Sequence, residues 1–94
     1  MSSLHLDKLI ESKLKGDKSR VNELFQDDSI LIELSNNEHS NDWFRFKENT
    51  FDGEYLIKKN NSYVCYQQDR GHKFGVAEFE NINQAAQHLF KQRY

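Results

Sequence analysis

Residues 54–80, EYLIKKNNSYVCYQQDRGHKFGVAEFE, contain three runs of strand-forming residues separated by two turn signals. Glu54 to Lys59 and Ser62 to Gln68 flank Asn60-Asn61, a pair suited to a tight hairpin because asparagine tolerates positive φ. Asp69-Arg70-Gly71 supplies the next turn, and a third strand follows from about His72 to Glu80. Phe74 and Phe79 are an odd number of residues apart, so a regular strand points them to opposite faces. Gly75 between them marks a bulge, and a bulge returns both rings to one face.

Downstream, Asn81 caps a final helix and Gln84 completes a capping-box pattern. Ile82, Ala85, Ala86, Leu89 and Phe90 form its apolar stripe, and the paired alanines let it sit close to a neighbouring layer. Upstream, Asp52-Gly53 turns the chain into the first run, and Trp43 to Lys47 alternates Phe44 and Phe46 with Arg45 and Lys47 as a strand does. Ser35 to Asn41 is a polar loop.

Before that loop the composition changes. Eleven of the twelve aromatics lie at or after Trp43, and the first part is rich in Leu, Lys, Asp and Glu. Ser2 or Ser3 can cap a helix with apolar face Leu6, Leu9, Ile10 and Leu14, ended by Gly16. Asp17 caps a second helix with stripe Val21, Leu24 and Phe25. Asp28 opens a short third turn through Ile30, Leu31 and Leu34, but Ile30, Ile32 and Leu34 also alternate as a strand would, and so short a run leaves helix and strand both open. Helices first, then an antiparallel meander of three to four strands, then one closing helix give an α+β plan in a single domain, residues 1–94. A chain of this length buries only about 60 to 65% of its unfolded surface.

The chemistry offered by single residues is sparse. Cys65, the one cysteine, sits between Val64 and Tyr66 and reads as a core filler. His5, His39, His72 and His88 lack metal-site spacing, and Gly16, Gly53, Gly71 and Gly75 form no phosphate-binding pattern, so neither metal nor cofactor is expected. No run reaches the roughly 20 apolar residues of a membrane span, and Met1 to Ile10 lacks a signal-peptide pattern, so a cytoplasmic protein is expected. A net charge of −2 gives no basis for nucleic-acid binding. The charge is unevenly placed, however. Residues 27–42 hold Asp27, Asp28, Glu33, Glu38 and Asp42 with no Lys or Arg, a local −5. This window, with Trp43 beside it as an aromatic anchor, is the candidate partner-binding set, because clustered charge steers association and tryptophan is enriched at binding hot spots.

Residues 52–90, about two-fifths of the chain, resemble a pattern in small bacterial immunity proteins of polymorphic toxin and contact-dependent growth inhibition systems. The likeness rests on Gly53 and Tyr55 opening a strand, the Asn-rich hairpin, Tyr66 followed by Arg70-Gly71, Phe74, Phe79 and the closing helix. It implies a cytoplasmic inhibitor that binds one toxin domain, frequently a nuclease, and no binding residue is carried over from it. A non-enzymatic role is the leading expectation. The alternative is a small interaction adaptor or regulator, as a homodimer joined through the first or last strand. A small ribonuclease is the third reading, with His39 or His72 as base, Arg70 on a phosphate and Tyr66 or Glu78 orienting it.

Overall fold

A computed structural model describes residues 4–39 and 42–91. Helix α1 spans Leu4–Lys13, a 3-10 helix Lys18–Leu24, and helix α2 Ser29–Asn36. Strands β1 (Phe44–Arg45), β2 (Gly53–Lys59), β3 (Ser62–Asp69) and β4 (His72–Phe79) follow, and helix α3 (Ile82–Phe90) is the last described element. The α+β plan therefore holds. The serine cap expected for α1 lies outside the described residues.

Each helix follows its apolar periodicity. Leu6, Leu9, Ile10 and Leu14 are buried along α1, and Lys15 and Gly16 turn the chain out of it with positive φ. The segment after Asp17 is a 3-10 helix rather than an α-helix, and the Asp17 carboxylate accepts from the Ser19 amide at 3.1 Å. Residues 29–34, open between two readings in the sequence, are helical: α2 buries Ile30, Leu31 and Leu34 and leaves Ile32 61% exposed. Helix α3 buries all five residues of its stripe, and Asn81 caps it by accepting from the amides of Asn83 (2.7 Å) and Gln84 (3.2 Å).

The four strands form one sheet in the order β1-β2-β3-β4. Both hairpins lie where expected, the first with its two-residue turn and positive φ at Asn60. In the second, Asp69 pairs with His72 and belongs to β3, so the turn shrinks from the expected three residues to Arg70 and Gly71, both with positive φ. The bulge also lies where expected. Cys65 pairs with Ala77 and Gln67 with Phe74, so β4 carries one extra residue at Gly75–Val76, where Gly75 has φ +65°. Phe74 and Phe79 thus fall in register with Gln67 and Tyr63 and share a face.

The sheet departs from the expected meander at β1, which pairs with β2 in parallel, Phe44 with Glu54 and Arg45 with Tyr55. The sheet is mixed, and the strand expected over 43–47 shrinks to two residues. The reason is visible in the hydrogen bonding. The Phe46 amide donates to the Glu38 carboxylate (3.0 Å), which takes it out of the ladder. The chain then crosses the sheet face remote from the helices, where Gln68 Nε2 donates to the carbonyls of Asn49 (2.9 Å) and Phe51 (3.0 Å) and the Tyr55 hydroxyl donates to Phe51 O (2.5 Å). It re-enters alongside β1 instead of reversing against it.

Two cores result. The larger one joins all the helices to one sheet face through Phe44, Phe46, Leu56 and Cys65, with Phe25, Phe44 and Phe90 in ring contact at 5.0 to 5.6 Å. The smaller holds Tyr55, Ile57 and Tyr66 on the other face, the tyrosines stacked at 4.7 Å. Among the described residues no helix is long and apolar enough to cross a membrane.

Candidate functional site

Helix α2 sits at the margin of the large core, and the first of its residues, with Asp28 just before them, organises the most shaped part of the surface. On one side a cleft of about 460 Å³ is lined by Leu31, Ile32, Ser35, Phe46, Ile57 and the Asp28–Lys58 pair, among others. Leu31 and Ile32 of the helix face Phe46 and Ile57 across it and make most of its exposed lining apolar, while Lys47 and Glu48 join the Asp28–Lys58 pair in bringing charge to the same lining. On the other side a shallower hollow of about 630 Å³ is lined by Asp27, Asp28, Tyr63 and Glu80, with Gln26, Ser29, Asn81 and Ile82. Three carboxylates face this hollow and its lining contains no Lys or Arg.

Asp28 forms the ridge between the two. Its carboxylate accepts hydrogen bonds from Lys58 Nζ and from the Tyr63 hydroxyl, which hold it below the usual carboxylate range. The same contacts raise Lys58 and Tyr63 above their ordinary values, since each keeps its proton more firmly beside the anion. Asp27 accepts from the hydroxyl and the amide (2.9 Å) of Ser29, and it too lies below the usual range. These hydrogen bonds favour the ionised form of both acids.

The rest of the acidic window is placed differently. Glu33 is exposed on α2 and pairs with His5 Nε2 at 2.9 Å. Glu38 is half-buried, accepts from the Phe46 amide and from Asn49 Nδ2 (3.2 Å), and is raised by burial. Asp42 is 3% exposed and accepts from the backbone amides of Leu4 (3.1 Å) and His39 (2.8 Å). Trp43 is half-buried, packs against the large core and donates from Nε1 to Glu54 at 2.9 Å. Five acids adjacent in sequence therefore divide. Asp27, Asp28 and Glu33 face outward, while Glu38 and Asp42 satisfy backbone amides where α1 and β1 approach the polar loop.

Sequence reasoning missed Ile32, Lys58, Tyr63 and Glu80. A signal for two of them was present: the Asn60-Asn61 turn pairs Lys58 directly with Tyr63 across the hairpin. Glu80 reaches the hollow only because α3 folds back beneath the sheet.

The residues proposed for ribonuclease chemistry do not converge. Arg70 and His72 stand at one end of the β3–β4 hairpin, whereas Glu78 accepts from Ser62 Oγ (2.9 Å) near the other end, about 20 Å away by strand rise. Tyr66 is buried in its stack with Tyr55. Among the described residues no three His, Cys, Asp or Glu side chains are arranged to hold a metal ion. Comparisons with protein-family models, with curated proteins and with solved structures find no match to this chain.

Proposed function

We propose that this chain is an immunity-type protein, which binds one bacterial toxin domain in a stoichiometric complex through the α2 face and thereby blocks it. The observation that carries the reading is the meeting at Asp28 of a cleft with mostly apolar exposed lining and a hollow whose charged lining residues are all acidic. An exposed aliphatic side chain beside fixed negative charge suits a partner that is basic around an apolar contact, as a nuclease surface that handles phosphates is. The resemblance of residues 52–90 to immunity proteins supports the same reading. Ile32 at the rim supplies the apolar contact, and Asp27 and Glu80 supply the field.

The test is affinity capture from the native cell at low salt, with wild type beside Ile32→Asp and Asp27→Lys/Glu80→Lys variants. These residues are exposed, and circular dichroism checks that each variant is folded. Wild type is expected to retain one protein in equal amount, represented by peptides from its C-terminal domain, and both variants to lose it. Undiminished capture by the variants removes the α2 face from the interface. Recovery of only the chain itself favours the adaptor reading, for which the open edge of β4 is the specific support.

A further inference from the structure

Strand β4 ends the sheet, and its outer edge has no neighbouring strand among the described residues. Two large apolar side chains stand exposed on it, Phe74 (45%) and Val76 (61%). In an antiparallel ladder, residues bonded to the neighbour alternate with residues whose N–H and C=O point away. The two-residue turn at Arg70–Gly71 makes Asp69 and His72 a bonded pair, and the register then places Phe74, Ala77 and Phe79 in the bonded phase with β3. Lys73 and Glu78 are left with their backbone groups directed outward. Both pair with β3 residues of one parity, Gln68 and Val64, so their side chains share a sheet face.

The geometry points to a twofold antiparallel pairing of β4 with β4 of a second copy, centred between Gly75 and Val76. In that register Lys73 of each copy lies opposite Glu78 of the other, and Phe74 lies opposite the small Ala77. Opposite charges directly across a strand pair attract, and a large ring beside a small residue packs without collision. The bulge selects the occupant. It blunts the edge against an ordinary strand, which meets one residue too many. A second copy carries the same extra residue at the same place, so the arms on both sides of the bulge stay in register. The cleft beside α2 lies at the β1–β2 side of the sheet and remains open in such a dimer. An edge contact of this length is small, which sets its strength in the weak, reversible class.

Sedimentation across a concentration series tests the pairing, with circular dichroism confirming that each variant is folded. Wild type is expected to shift from monomer to dimer as concentration rises. Lys73→Glu and Glu78→Lys alone each set like charges opposite one another twice per dimer, and each raises the dissociation constant about tenfold or more. The combined Lys73→Glu/Glu78→Lys variant exchanges the signs and recovers dimerisation. A chain that is monomeric at every concentration overturns the proposal. So does a dimer indifferent to the single reversals, or one that the double reversal fails to recover.

Discussion

Gly53 stands where β1 and β2 come together, and no side chain fits there. A Cβ at this position meets the Trp43 carbonyl oxygen at 2.3 Å, and the backbone φ of +151° is one that side-chain-bearing residues avoid. The close approach is what allows the Glu54 amide to donate to that same carbonyl at 3.0 Å. Gly53→Ala is therefore expected to lower stability by about 2 kcal/mol or more. Gly71→Ala, in a turn with open space around it, is expected to cost about 1 kcal/mol from its positive φ alone. Urea unfolding of the two variants measures the difference, and equal losses would mean that the β1–β2 approach yields readily. In the sequence Gly53 reads only as half of an Asp-Gly turn. Its actual constraint comes from a carbonyl ten residues away, which no local pattern contains.

At the scale of elements, the segment between β1 and β2 depends on one hydroxyl and one amide. Tyr55 and Gln68 neighbour each other on the face the segment crosses, and together they satisfy the carbonyls of Asn49 and Phe51. The Arg45 guanidinium adds a contact 4.7 Å from the Phe51 ring centre. Tyr55→Phe keeps the stacked ring but removes the donor, and a cost of about 1 to 2 kcal/mol is expected. Hydrogen exchange localises the effect: amides around 47–52 exchange faster, and those of α3 do not. Uniform acceleration throughout would assign the loss to the core and not to the segment. Element identity was legible wherever a long apolar stripe existed, as in α1 and α3. Helix α2 was ambiguous because Ile30, Leu31, Ile32 and Leu34 suit both periods, and the outcome followed from which of them could join the large core. Ile32 was the residue left outside.

For the molecule as a whole, three groups held neutral inside it set its alkaline limit. Burial pushes Tyr55, Cys65 and Tyr66 each up to about 12. In the unfolded chain a thiol ionises near about 8.5 and a tyrosine near about 10. Since folding raises these values, the stability they contribute is complete below the unfolded pKa and falls as pH rises towards 12. The urea midpoint is expected to decline from about pH 8.5 upward, and Cys65→Ala is expected to delay the onset towards pH 10. An unchanged onset in that variant would show that Cys65 ionises without unfolding the chain. The α+β class, the two hairpins, the β4 bulge and the α3 cap follow from the sequence by itself, because turn chemistry and apolar period act over a few residues. The parallel entry of β1, the division of the acidic window and the union of Asp28 with Lys58 and Tyr63 were decided only by the tertiary structure. Each depends on which backbone amides and charges of separate elements meet, and the free energy of such a meeting is fixed by packing that no single segment encodes.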